Sequence, residues 1–193
     1  MPDRPQPPAS RGNRRRHDPD RRERIIAACL EVIAEFGVAG TSHRKVAAAA
    51  DVPLGSMTYH FSGMDELLHA AFGRFATSVS DGFDAMMAAA EGPEEAERIV
   101  VAIVDDTAAE SHRFLVLTHE LYTLAAREPA FRGLTNAWMA RSRAALERHF
   151  DPATARMLDA LIEGLTIHRA LDTEPHDPAV AADAIRRITG LRT

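Results

Sequence analysis

Apolar residues recur along most of the chain at the spacing of an α-helix, and this periodicity restricts the possible fold most strongly. In the first such segment Ile26, Cys29, Leu30 and Ile33 occupy positions i, i+3, i+4 and i+7, on one side of an amphipathic helix. No segment alternates apolar and polar residues as a half-buried strand does. Alanine, the strongest helix former, is abundant. The sequence therefore predicts an all-α fold.

Prolines and glycines divide the helical pattern into about nine helices, because residues before proline disfavour the helical conformation. Three short helices precede Phe61, and Ser62 with Asp65 resembles a capping box at the start of the fourth. The remaining helices are expected at about 62–90, 94–109, 112–127, 130–149, 153–171 and 178–190.

Basic residues are concentrated near the N-terminus. Residues 1–61 carry ten Arg and Lys against seven Asp and Glu, whereas the remainder carries thirteen against twenty-one. Residues 1–17 hold four prolines and five arginines, so we expect them to form a disordered basic arm. A basic end suggests a polyanionic partner, and the alternative is a solvated tail beside an acidic domain.

Several classes of protein are disfavoured. No stretch has the roughly 18 apolar residues of a membrane span, and no apolar stretch follows the basic arm as in a signal peptide. A single cysteine fits a reducing cytoplasm. His119 and Glu120 begin like a zinc-protease motif, but Thr123 replaces its second histidine, and His112 with His119 is most simply a pair of surface or core histidines. We expect a cytoplasmic protein without catalytic site, metal or cofactor.

Residues 41–61 have the pattern of two short helices joined by a tight turn. Thr41 or Ser42 can cap a helix over about 42–50. Asp51 ends it, because Asp tolerates unusual backbone angles, and Pro53 lies near the first turn of the next helix. The expected buried residues are Val46, Ala47, Ala50, Met57 and Phe61.

The outer face of the second of these helices is polar. A helical wheel places Gly55, Ser56 and Tyr59 opposite the buried side, with Thr58 and His60 on the flanks. Such side chains can hydrogen-bond to phosphates and base edges. Three helices of this size, the last two joined by a tight turn, form a helix-turn-helix unit. An ordinary helical hairpin with a polar outer face is the alternative.

From Arg24 to Leu68 the chain resembles the DNA-binding region of TetR-family transcriptional regulators. The matching motifs are the Thr-Ser cap, the V-A-x-A-A helix, then G-S-M-x-Y-H-F and an acidic-Leu-Leu helix start. The resemblance implies a helix-turn-helix domain at 18–63 and a ligand-binding and dimerisation domain at 64–193. It also implies a homodimer that binds a palindromic double-stranded DNA operator and releases it when a small-molecule effector binds.

The resemblance also assigns DNA contacts by position. The candidates are Thr41, Ser42, Arg44, Lys45, Gly55, Ser56, Thr58, Tyr59 and His60. Three positions depart from the common family pattern. Thr58 stands where the family often has a Tyr that reaches a phosphate, and Tyr59 is expected to make that contact here. Asp51 stands in the turn where Gly is frequent. Met64 stands where Lys is frequent at the start of the fourth helix.

Large apolar residues in the C-terminal part suggest a ligand pocket between helices. The candidates are Phe83, Met86, Met87, Phe114, Tyr122, Trp138, Met139 and His168. Residues at this spacing are also what an ordinary core contains, and His168 is either a ligand contact or a core histidine. The resemblance favours a pocket, and it places the dimer interface on the last two helices.

The sequence thus predicts a ligand-responsive DNA-binding regulator, most simply a repressor. One alternative is a TetR-like activator or a regulator controlled by a protein partner. The other is a helical-bundle enzyme or carrier whose first domain is vestigial.

Overall fold

The computed structural model describes residues 19–106, 112–174 and 177–191, and within these ranges the chain forms nine helices and no strand. The helices are α1 (Arg21–Phe36), α2 (His43–Ala49), α3 (Gly55–His60), α4 (Met64–Ala89), α5 (Pro93–Asp106), α6 (His112–Arg127), α7 (Pro129–Leu146), α8 (Pro152–Leu171) and α9 (Pro178–Thr189). The all-α prediction is confirmed. The predicted basic arm at 1–17 and the predicted end of α5 at 107–109 lie outside the described residues.

The local signals around α1 and α2 act largely as the sequence indicates. The predicted apolar stripe of α1 is buried. Of the two candidate caps of α2, Ser42 is the one used, because its hydroxyl accepts a hydrogen bond from the Lys45 amide at 3.3 Å. The Thr41 hydroxyl instead donates to the Gly37 carbonyl at 2.8 Å. Asp51 follows α2 with a φ of 50°, in the left-handed region.

The expected capping pair at the start of α4 is wrong in its second member. Both the amide and the hydroxyl of Ser62 donate to Glu66, each at 2.7 Å. Since α4 begins at Met64, Asp65 lies too early in the first turn, and the longer side chain of Glu66 reaches back. The backbone and hydroxyl hydrogen bonds from Ser62 lower the pKa of Glu66.

Two apolar cores hold the helices together. The first core joins α1, α2 and α3 to α4, α6 and the start of α7; its members include Ile33, Val46, Met57, Phe72 and Leu117. The second core joins the end of α4 and the end of α7 to α5, α8 and α9; its members include Met87, Val100, Leu146, Leu158 and Ile185. Both α4 and α7 contribute to each core, so they connect the two ends of the structure.

In the part of the chain that the structure describes, no helix combines the length and apolar character needed to cross a membrane.

Candidate functional site

The outward face of α2 and α3 carries most of the residues predicted to contact DNA. Exposed members are Ser42, Arg44, Lys45, Gly55, Thr58 and Tyr59, and half-buried members are Thr41 and His60. Tyr59 is 84% exposed, with its ring edge-on to His60 at 4.9 Å between centroids. The phenol therefore projects from α3 with little in the chain to restrain it.

Ser56 corrects the helical-wheel prediction, because it is 9% exposed and not on the outer face. Its position is only one residue, or about 100° of helix rotation, from the buried Met57. Its amide donates to the Pro53 carbonyl at 2.8 Å, which keeps this first turn close to the α2–α3 connection. Ser56 thus offers the surface little of its side chain.

Lys45 is exposed but held within the chain. Its ammonium group donates to the Gly40 carbonyl at 2.8 Å and lies 3.8 Å from the centroid of the Phe36 ring. Both contacts direct the charge towards the end of α1. To reach a polyanion beyond α2, Lys45 must exchange at least one of these contacts for a new one.

A cavity of about 780 Å³ lies between α4, α5, α6, α7 and α8. Six of the eight predicted pocket residues line it: Phe83, Met86, Phe114, Tyr122, Trp138 and Met139. Its size and largely apolar lining match those of small-molecule sites in proteins.

Met87 and His168 do not line this cavity, which corrects the prediction. Met87 is fully buried and belongs to the second core, whereas its neighbour Met86 faces the cavity. His168 is exposed, whereas Ile167 lines the cavity. In each case a step of about 100° around a helix moves the side chain to a different environment.

Aromatic rings from α4, α6 and α7 form one wall of the cavity. Tyr122 and Trp138 are stacked, with centroids 6.2 Å apart and planes at 20°. Trp138 also meets Phe75 edge-on at 5.7 Å, and Phe75 belongs to the first core. Burial raises the pKa of the Tyr122 phenol, and the charge of Glu163 and a hydrogen bond to it raise this pKa further.

The polar lining was missed by sequence reasoning. Asp159 and Glu163 of α8 and Thr118 of α6 all face the cavity. Burial raises the pKa of Asp159, opposed by Arg143, whose guanidinium lies 3.3 Å from its carboxylate. The signal was the spacing of Asp159, Ile162, Glu163 and Thr166, which lie on one side of α8.

Helix α6 belongs both to the cavity wall and to the packing around α1. Phe114 and Tyr122 line the cavity, while Arg113 forms an ion pair with Glu31 of α1 at 2.8 Å. A Cβ atom at Gly37, which has a φ of +67°, would lie 2.5 Å from the Glu120 carboxylate. The side chains of α6 are thus in close contact with both the body and the end of α1.

The residues considered for metal or thiol chemistry have structural explanations. His112 is exposed, and His119 makes a 2.7 Å hydrogen bond to the Leu115 carbonyl through Nδ1. Within the described ranges, no group of three or more His, Cys, Asp or Glu residues is placed to hold a metal ion. Cys29 is fully buried, which raises the pKa of its thiol to about 12.

Two family models cover the helices that build these surfaces. Residues 25–71 match "Bacterial regulatory proteins, tetR family", and residues 91–191 match "Tetracyclin repressor-like, C-terminal domain". The chain belongs to the TetR family. It is a transcriptional regulator with a helix-turn-helix DNA-binding region, and it is not an enzyme.

Known TetR-family structures and sequences resemble the chain over most of its length. A crystal structure of the transcriptional regulator SCO7518 from Streptomyces coelicolor A3(2) is 58% identical, covers 90% of this chain and 100% of its own, and has a TM-score of 0.84. The multidrug binding protein EbrR complexed with ethidium is 36% identical, with 88% and 98% covered and a TM-score of 0.74. The regulator PksA of Bacillus subtilis (strain 168) is 28% identical over 87% of this chain and 85% of its own.

Proposed function

We propose that this TetR-family protein is a homodimeric repressor that leaves a palindromic operator when a small molecule occupies the cavity. The observation that carries the proposal is the double position of α6, which lines the cavity and packs on α1. Occupying the cavity can thereby favour one arrangement of α1 over another, as ligand control of DNA binding requires.

In this proposal residues 18–63 form the DNA-binding domain, with α3 in the major groove. Arg44 and Lys45 of α2 and Tyr59 of α3 are exposed and suited to phosphates or base edges. The arm at 1–17 adds positive charge that can follow the duplex.

The effector that fits the cavity carries aromatic rings. Tyr122, Trp138 and Phe114 present ring faces or edges to the space, and stacking favours flat partners. EbrR, a relative of similar fold, has been crystallised with ethidium, proflavin and malachite green. All three are polycyclic or polyaryl dyes, which supports an aromatic effector for this chain.

The C-terminal domain, residues 64–193, is proposed to dimerise through α8 and α9. Met157 and Leu171 of α8 and Val180 of α9 are exposed, at 47%, 62% and 53%. Large apolar side chains exposed on two neighbouring helices are typical of a protein–protein interface. A two-fold dimer would present two α3 helices to the two halves of a palindrome.

Fluorescence anisotropy with labelled DNA from the region flanking the gene tests this function. The protein should bind this duplex as a dimer, and at least one of ethidium, proflavin and malachite green should release it. A reporter gene behind the same DNA should be less active when the protein is present. If a dye releases the DNA but the reporter gene is more active when the protein is present, the protein is an activator. No binding to the flanking DNA would contradict the operator assignment.

A further inference from the structure

We infer that the effector of this cavity is a cation, with the Glu163 carboxylate as its counter-charge and the Thr118 hydroxyl as its hydrogen-bonding partner. The inference rests on the proposed function and names the chemical class of its effector. It follows from the charges that line the cavity and from one buried hydroxyl without a partner.

Among the described residues that line the cavity, Asp159 and Glu163 carry carboxyl groups and none is Lys or Arg. The imidazole of His119 also lines it, and its Nδ1 is held by a 2.7 Å hydrogen bond to the Leu115 carbonyl. A carboxylate in a largely apolar space loses hydration, and a positive charge on the ligand can replace what is lost. An anionic ligand would face repulsion from Glu163, whereas the charge of Asp159 is offset by Arg143. The cavity therefore favours positive or neutral ligands over negative ones.

The two carboxylates are not equivalent. Asp159 already has an ion-pair partner in Arg143, at 3.3 Å, and both side chains are mostly buried, at 19% and 23% exposed. Glu163 forms no ion pair with the described residues; it interacts with the neutral phenol of Tyr122, and its charge helps to raise the pKa of Asp159. A phenol supplies a hydrogen bond but no opposite charge. Glu163, one helical turn from Asp159, is thus the carboxylate available to a cation.

Thr118 provides a second observation that points to a ligand. Its side chain is 7% exposed and lines the cavity, and its hydroxyl has no hydrogen-bond partner among the described residues. Two other buried helical hydroxyls do bond to the preceding turn: Ser80 to the Ala76 carbonyl at 2.8 Å and Thr135 to the Arg132 carbonyl at 3.2 Å. A buried polar group without a partner costs free energy. Thr118 lies one turn before Tyr122 on α6, and its hydroxyl is shielded in this conformation. Rotation about the Cα–Cβ bond can turn the hydroxyl towards a ligand on the aromatic wall.

The aromatic wall completes a site for a flat cation. Stacked Tyr122 and Trp138 offer electron-rich ring faces, which attract positive charge as well as other rings. Glu163 adjoins the polar end of Tyr122, so charge recognition and stacking are supplied side by side.

Calorimetric titration of the full-length protein with two matched probes tests the charge. The probes are 10-methylacridinium, a permanent cation, and acridine, which has the same three-ring plane and is uncharged at neutral pH. Wild-type protein should bind the cation about tenfold more tightly, a difference of about 1.4 kcal/mol. Glu163→Gln should remove most of this preference. Glu174→Gln, which removes one exposed carboxylate just beyond α8, is the control and should keep it.

The outcomes separate the inference from the proposed function. Equal binding of both probes, or a preference that survives in a folded Glu163→Gln protein, would leave the cavity as the effector site and overturn the assignment of charge. Failure of both probes to bind wild-type protein would overturn the cavity as a site for aromatic ligands, and the present inference with it. Circular dichroism establishes that each variant is folded.

Thr118→Val, a change of similar volume, tests the hydroxyl. Proflavin carries amino groups that can hydrogen-bond with it, and its affinity should fall about three- to tenfold, the usual effect of losing one hydrogen bond. The affinity for 10-methylacridinium, which has no N–H group, should change much less. Equal losses for both probes would mean that Thr118 acts through packing, and no loss for either would exclude it from the site.

Discussion

Among individual residues, Tyr59 has the environment most suited to an intermolecular contact. A phenol that is 84% exposed on a six-residue helix is available to a partner but contributes little to the first core. Tyr59→Ala should weaken operator binding about tenfold, since a hydrogen bond to a charged phosphate is worth about 1.5 kcal/mol or more. The melting temperature should stay within about one degree of wild type, as expected for an exposed substitution.

Tyr59→Phe separates the hydroxyl from the ring. If the hydroxyl bonds to a phosphate, Tyr59→Phe should lose most of what Tyr59→Ala loses in anisotropy titrations. Wild-type affinity in both variants would show that α3 is not seated against the duplex as proposed.

Cys29 is the opposite case, a reactive group that the fold keeps from reacting. Its pKa rises from 9.0 to about 12 because burial disfavours the thiolate. The native protein should therefore react with a thiol reagent at least about a hundredfold more slowly than the protein in concentrated guanidinium chloride, because burial reduces both the thiolate population and the access of the reagent. Absorbance of the released chromophore measures both rates. Comparable rates would mean that α1 opens readily.

The same thiol contributes to stability in a pH-dependent way. In the unfolded chain the Cys29 thiol loses its proton near pH 9.0, whereas in the folded chain it keeps the proton until about pH 12. The contribution is therefore complete below pH 9 and is lost as the pH rises towards 12. Urea unfolding of wild type and Cys29→Ala over this range should show a steeper decline for wild type. If the free energy of unfolding falls equally in both proteins, Cys29 does not cause the loss of stability at high pH.

At the scale of helices and turns, the connection between α2 and α3 depends on the backbone of Asp51. Its φ of 50° is unfavourable for most side chains and worst for β-branched ones. Asp51→Val should lower the free energy of unfolding by about 1–2 kcal/mol, whereas Asp51→Gly should be neutral or stabilising. Urea denaturation measures both, with Ala49→Val on the exposed side of α2 as the control. An Asp51→Val protein as stable as wild type would contradict this backbone conformation.

The positions of the helices could be predicted from the sequence more reliably than the residues that face the cavity. Prolines at 93, 129, 152 and 178 begin four helices at or within one residue of the expected positions, because proline is favoured in the first turn. The apolar period alone could not separate Met86 from Met87: Met86 is 41% exposed and faces the cavity, whereas Met87 is fully buried in the second core. Nor could it distinguish Glu163 from a solvated acid, because the cavity exists only once α6, α7 and α8 are assembled.

Across the whole molecule, Trp138 connects the cavity with the core that supports the DNA-binding helices. It stacks on Tyr122 within the cavity wall and meets Phe75 of the first core edge-on. Trp138 is the single tryptophan of the chain, so its emission reports on this one position. A ligand on the aromatic wall should change that emission. The contacts of Trp138 with Phe75 of α4 and Tyr122 of α6 connect ligand binding to these two helices.

The resulting prediction compares two titrations of the same effector. Any compound that releases the operator should change Trp138 emission over the same concentration range. A coupling of about 1–3 kcal/mol between ligand and DNA would weaken operator binding by about 5–150-fold. Trp138→Phe keeps an aromatic face and should shift the release curve less than Trp138→Ala, because stacking and packing area decide the affinity. If a compound saturates the protein and releases DNA while the emission and the Trp138→Ala release curve stay unchanged, the effector binds outside this cavity. The contacts of α6 with α1 would then be structural, and another route between effector and DNA would be required.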